Sequence, residues 1–138
     1  MKEIIVISGR SGLFRLISGG KNYLIIESLA DKNRSSVHLK DKFTPLNEMK
    51  ISTNEGETPV CEVLSAIKRK EDGKQVSIDV RKADNDVLQS YMAEVLPNYN
   101  RKRVYPNDIR KLLKWYDLLL SAGIADFFDT EGKPSTPE

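Results

Sequence analysis

One cysteine, one histidine and one tryptophan in 138 residues leave this chain little with which to do covalent or metal chemistry. A lone Cys61 excludes an intrachain disulfide and any cysteine-based metal cage. It sits beside Val60 near the expected start of a helix, where a small buried hydrophobe is the ordinary role. His38 has no second histidine with which to share a metal. Any Ser-His-Asp arrangement would have to use it, yet it lies between Val37 and Leu39 in an expected strand and no serine or cysteine occupies a nucleophile-elbow context. Long apolar runs are missing too: none approaches the ~20 residues that cross a bilayer. The N-terminus, MKEIIVISGRSG, offers four consecutive apolar residues before Ser8 and Gly9. A secretory leader needs a longer apolar region, so a reduced, cytoplasmic setting is expected. Charge of one sign is also scarce. With 22 Lys and Arg against 20 Asp and Glu the net charge is +2, so any attraction to a polyanion must be local.

The remaining candidates for catalysis or phosphate binding have plainer readings. The loop Ser8-Gly9-Arg10-Ser11-Gly12 lacks the Gly-Lys-Ser/Thr ending of a nucleotide loop, and a strand follows it instead of a helix whose N-terminus would hold phosphate. Its glycines suit a hairpin. The acid pairs Asp84/Asp86 and Glu55/Glu57 stand where a helix start or a turn favours acids, with no acid–base partner at helical spacing. No cofactor, metal site or enzymatic activity is expected.

What is present is a pattern of short elements. Ile4 to Ile7, Leu13 to Ser18, Tyr23 to Leu29, Ser36 to Lys40 and Met49 to Thr53 read as five strands between Gly-, Asn- and Asp-containing turns. Phe43-Thr44-Pro45-Leu46 reads as a loop, because Pro45 removes a ladder donor. Five short strands in about fifty residues suggest a small β-barrel of SH3-like or Sm-like type, whose closure would remove exposed edges. Thr58-Pro59 predicts the cap and first position of a helix burying Val60, Val63, Leu64 and Ile67, with Lys68, Arg69 and Lys70 in its last turn. Val76, Ile78 and Val80 alternate like a short strand. Asp84 or Asp86 predicts the cap of a second helix, which Pro97 stops. Pro106-Asn107-Asp108 opens a third helix running to Ala122, with Gly123 as its stop. The expectation is an α+β protein: residues 1–70 as barrel plus helix, 71–124 as a helical subdomain containing a C-terminal helical hairpin, and 125–138 as a flexible polar tail.

Function is most legible between Asn98 and Tyr116, which holds six Lys or Arg against one acid, Asp108, interleaved with Tyr99, Tyr105, Trp115 and Tyr116. Cations that reach phosphates beside rings that stack on bases are what a single-strand-binding surface needs. The candidate nucleic-acid-binding residues are Arg101, Lys102, Arg103 and Tyr105 in a connector, and Arg110, Lys111, Lys114 and Trp115 on the third helix. Arg10, Arg15 and Lys21 could join them from turns of the barrel. The same segment also suits a helix that closes a small core and solvates its outer face; Trp115, offset from the main apolar stripe, could cap the barrel or stack on a base. Two readings stand: a non-catalytic module for RNA or single-stranded nucleic acid, or an adaptor that docks a protein partner without nucleic acid.

Several stretches resemble an uncharacterised family of small Bacteroidetes proteins, a domain of unknown function. They are Ile7-Ser8-Gly9 with Gly12-Leu13, Ile26 to Leu29, Met49 to Thr53, Val95 to Tyr99, Arg103 to Tyr105, Asp108 to Lys111 and Lys114 to Tyr116, and together they span the chain to about Leu120. The resemblance implies an N-terminal small β-domain joined to a helical C-terminal part. It brings no activity, cofactor or site residue. Similar sequences carry an acid near Asn100 or Arg101, so the run Arg101-Lys102-Arg103 is more basic here.

Overall fold

The computed structural model describes residues 4–7, 9–10, 12–38 and 43–124. Five short strands, β1 (Ile4–Ile7), β2 (Phe14–Gly19), β3 (Tyr23–Ser28), β4 (Arg34–His38) and β5 (Phe43–Pro45), form one antiparallel sheet in the order β4-β3-β2-β1-β5. Tight turns fix the early register. At the β2–β3 turn the Gly20 N–H donates to the Tyr23 carbonyl at 2.8 Å. A Cβ on Gly20 would stand 2.6 Å from the Tyr23 ring, so a larger residue would displace that ring.

Alternation gives the sheet two apolar faces. On one, Ile5, Ile7, Phe14, Leu24, Ile26 and Val37 bury together, Ile26 completely, and among the described residues the partly buried apolar side chains packed against them, Leu16 and Phe43, are also strand residues. The pairing of β2 with β3 shifts register between Leu16 and Ser18, an irregularity that bends a strand locally. On the other face Ile4 joins Leu13, Leu29 and Leu46 in the main core beneath the helices.

The sheet is open, not the closed barrel expected from strand count, and two differences account for it. Phe43–Pro45, expected as a loop, is β5 and pairs Ile5 with Pro45 and Ile7 with Phe43. Proline is tolerated because β5 is an edge. Lys50–Thr53, expected as the fifth strand, is β6. It leaves the sheet through the 3-10 turn Leu46–Glu48 and forms a separate hairpin with β7 (Gly56–Pro59). Asn54-Glu55 closes that hairpin locally, and a two-residue turn outcompetes a long-range edge.

Thr58 and Pro59 therefore end a strand, and the helix begins one residue later than expected. Helix α1 (Val60–Lys70) starts with Pro59 at its N-cap and no side-chain cap; the Val60 N–H instead donates to the Met49 carbonyl across the hairpin at 2.8 Å. Val76, Ile78 and Val80, read as a strand, lie in an irregular strap over residues 74–83. The strap's backbone bonds go to its own turns at Glu71 and Asp79 and to side chains such as Asp117, Tyr116 and Arg110, so alternation had no partner strand to serve. Asp84 caps α2 (Asn85–Val95) by accepting the Val87 N–H at 3.0 Å. Helix α3 (Pro106–Ser121) ends at Gly123 (φ +82°): the Ile124 N–H donates to Leu119 at 2.8 Å and Gly123 N–H to Leu120 at 2.9 Å. This is the left-handed stop that glycine provides. Ile109, Leu112, Leu113, Tyr116 and Leu119 of α3 are almost wholly buried, and the main core draws on the sheet and all three helices alike. The tail expected to be flexible, and Leu39 and Lys40 of the fourth expected strand, lie outside the described residues.

Candidate functional site

Burying the Ile109–Leu113–Tyr116 stripe turns the neighbouring face of α3 outward, and Lys111, Lys114 and Leu118 follow one another along it at helical spacing. This face does not open onto bare solvent. The β1–β2 loop, with Arg10 between Gly9 and Gly12, rises on one side, and the strap rises on the other. Together they enclose a groove of about 970 Å³. Its floor is apolar, made by Val6, Ile78, Trp115 and Leu118; its rim carries Arg10, Arg81, Lys111 and Lys114 against two carboxylates, Asp79 and Asp117.

The strap has no regular structure, so side chains of the helices must hold it. The Tyr116 hydroxyl donates to the Lys74 carbonyl at 2.7 Å, Gln75 to the Ser121 hydroxyl at 3.0 Å, and the Val76 N–H to Asp117 Oδ1 at 2.9 Å. Glu71 Oε2 accepts the Ser77 N–H and hydroxyl, each at 3.1 Å, and the Tyr91 hydroxyl at 2.5 Å. Arg110 completes the attachment, its guanidinium donating to the carbonyls of Val80 (2.5 Å), Arg81 (3.1 Å) and Ala83 (3.0 Å). Burial and the facing Glu71 carboxylate push the Tyr91 phenol well above its usual range. Burial also raises the Glu71 carboxyl, but the donors from Tyr91 and Ser77 and the nearby Lys70 outweigh it and hold Glu71 below the usual value. Asp117 moves the other way: burial lifts its carboxyl, the Val76 N–H only partly offsets this, and Glu71 adds to the rise.

The candidates read from the sequence divide into three groups. Lys111, Lys114 and Trp115 line the groove; Trp115 is 9% exposed, so it forms the floor and does not project as a stacking platform. Arg101, Lys102 and Arg103 are exposed on the connector, apart from the groove lining, and meet no carboxylate among the described residues. The Arg101 guanidinium lies 5.7 Å from the centre of the Tyr99 ring. The connector itself is docked, since the Asn54 N–H donates to Asn98 and the Asn100 N–H to Ser52, adding Tyr99 beside Thr53 at the hairpin. Tyr105 is 62% exposed at the N-cap of α3, where its N–H donates to Asp108 Oδ2 at 3.0 Å. Arg110 is the third case: its guanidinium is spent on the strap, so it holds the wall of the groove. Arg81, Asp79 and Asp117 were missed as groove residues. The only signal for Arg81 was its nearness to a segment whose fold the pattern misread. Among the described residues no group of three His, Cys, Asp or Glu could hold a metal ion, and no helix is long and apolar enough to cross a membrane.

Two family models match the chain: a domain of unknown function, DUF5606, over residues 1–46, and a second, DUF6852, over residues 49–119. The chain belongs to the DUF6852 family. A solution NMR structure of a protein from Bacteroides vulgatus, determined by a structural genomics consortium, is similar along almost its whole length. It has 43% sequence identity and a TM-score of 0.75 over 99% of this chain and 97% of that one. The Bacteroidetes resemblance read from the sequence is therefore correct, as is the mixed α+β architecture. No curated protein matches the chain. The junction between the two family models falls at the 3-10 turn, where the chain leaves the five-stranded sheet.

Proposed function

We propose that the protein is a non-catalytic module that binds RNA or other single-stranded nucleic acid along the groove beside α3. The observation that carries this is the juxtaposition of four cations, from the β1–β2 loop, the strap and α3, around an apolar floor containing Trp115. Phosphates of a single strand find the rim cations while unpaired bases exchange water for the floor, the division of labour that sequence-tolerant single-strand binders use. Arg101, Lys102 and Arg103 extend the positive field beyond the groove without forming part of it.

Fluorescence anisotropy with labelled ten-nucleotide RNA and DNA tests this. If all four rim cations neutralise phosphates, log K falls against log salt with a slope of about −3. The K111E/K114E variant should lower that slope to about −1.5 or less and weaken low-salt binding at least tenfold. The R101E/R103E variant should weaken binding less and leave the slope closer to that of the wild type. No binding at low salt, or binding indifferent to K111E/K114E, overturns the reading. Partners retained from lysate after nuclease treatment, together with such indifference, would support a protein adaptor instead.

A further inference from the structure

A surface that only bound phosphate would have no use for carboxylates, yet Asp79 and Asp117 stand among the groove's four cations. Asp79 is accounted for locally: its Oδ1 accepts the N–H groups of Arg81 (3.1 Å) and Lys82 (3.3 Å) and shapes the strap's turn. Asp117 stands instead on helix α3. Its Oδ1 accepts one N–H, from Val76, and its Oδ2 has no protein partner among the described residues. The carboxylate is tethered in orientation, has acceptor capacity left over, and lies on α3 two residues beyond Trp115. Burial leaves its charged form short of solvation, so it gains from any donor that a ligand brings.

Base edges differ in what they offer such a group. Adenine and cytosine each present an amino donor next to a ring-nitrogen acceptor, which a carboxylate repels. Uracil presents one N–H between two carbonyl oxygens. Guanine alone presents two donors side by side, N1–H and the N2 amino group, matching the two oxygens of a carboxylate. We infer that Asp117 is a specificity-determining residue and that the groove prefers single strands containing guanine, whose N1–H and N2–H donate to Asp117 while Lys111 and Lys114 hold the flanking phosphates. The inference rests on the single-strand reading of the same groove and names the base that reading leaves open.

The test uses the full chain and labelled ten-nucleotide oligouridines with one central guanosine, inosine, adenosine or cytidine, by anisotropy at low salt. The guanosine oligomer should bind about tenfold tighter than the adenosine and cytidine ones. Inosine, which keeps N1–H and lacks the amino group, should fall between. In Asp117→Asn the amide oxygen still accepts from Val76, and a thermal melt checks that the fold is kept. The guanosine preference should shrink to about twofold or less. Equal wild-type affinity for all four oligomers overturns the inference without needing any variant, and so does a preference that survives in Asp117→Asn. Failure of the wild type to bind any oligomer overturns the single-strand reading itself.

Discussion

Arg110 looks from the sequence like a phosphate contact and in the structure like a clamp, and the two roles separate in a stability measurement. In Arg110→Met the aliphatic stem keeps its packing while the donors to Val80, Arg81 and Ala83 are lost. Hydrogen bonds from a charged donor contribute about 1.5–3 kcal/mol each. The Arg81 carbonyl belongs to an exposed residue and regains water, so it adds little. Val80 is 8% exposed and Ala83 partly buried, so their carbonyls lose partners that water replaces poorly. Counting those two, and allowing for relaxation of a strap without regular structure, the expected loss is about 2–4 kcal/mol. For a domain of this size that is a large share of total stability. Urea unfolding of wild type and variant, followed by circular dichroism, measures the difference. Arg110→Lys should fall between them, since an ammonium keeps the charge and loses the planar fork that reaches three carbonyls. A loss below about 0.5 kcal/mol in Arg110→Met, the level of an ordinary surface substitution, would refute the clamp.

Two further predictions follow from the packing around the strap and connector. The Glu71 carboxyl is held below its ordinary value of 4.5, so the unfolded chain binds its proton more readily and the interaction stabilises the fold above about pH 4.5. That stability is lost as pH falls through the lower folded value; Glu71→Gln should therefore be less stable than wild type at pH 7, with the gap closing in acid, and a gap that stays constant down to pH 2 contradicts the assignment. The Tyr99 hydroxyl is buried without a hydrogen-bond partner among the described residues, so Tyr99→Phe should leave stability unchanged or raise it by up to about 1–2 kcal/mol in the same urea assay. A loss above about 1 kcal/mol would show that this hydroxyl has a partner.

Much of the fold was readable because its signals are local. The α3 stripe, a cap at Asp84 (one of the two acids the pattern offered) and Gly123 as a stop are signals of local spacing, and all three are found in the structure. Strand existence was legible for β1 to β4 and β6, but not for β5 and β7, and Val76 to Val80 was read as a strand that does not form. Strand partnership was not legible, since alternation names the buried face and is silent on the neighbour. Pro45 was read as a breaker because a proline excludes a central strand, while its tolerance at an edge depends on a sheet order that only the assembled fold supplies. Val76, Ile78 and Val80 alternate, yet the strap's N–H and C=O groups are taken by Asp117, Glu71, Tyr116 and Arg110, residues far along the chain or on another element.

That same long-range bonding explains why the basic segment had to be subdivided. Six cations between Asn98 and Tyr116 look like one surface in a linear reading, but a helix turns by about 100° per residue, so neighbours in sequence face different surroundings. Arg110 meets the strap's carbonyls, whereas Lys111, the next residue, meets the groove. Arg101, Lys102 and Arg103 precede the helix on a connector whose backbone is pinned to the β6–β7 hairpin, which carries their charge away from the lining. The groove recovers positive charge from Arg10 and Arg81, each remote in sequence from α3. A site assembled in this way depends on the strap keeping its place, so loosening Arg110 should also weaken the contribution of Arg81. If Arg81→Gln and Arg110→Met lower affinity for a single strand, their combination should cost less than the sum of the two, because each disables the same wall. Strict additivity would mean that Arg110 touches the ligand on its own account, as the linear sequence suggested.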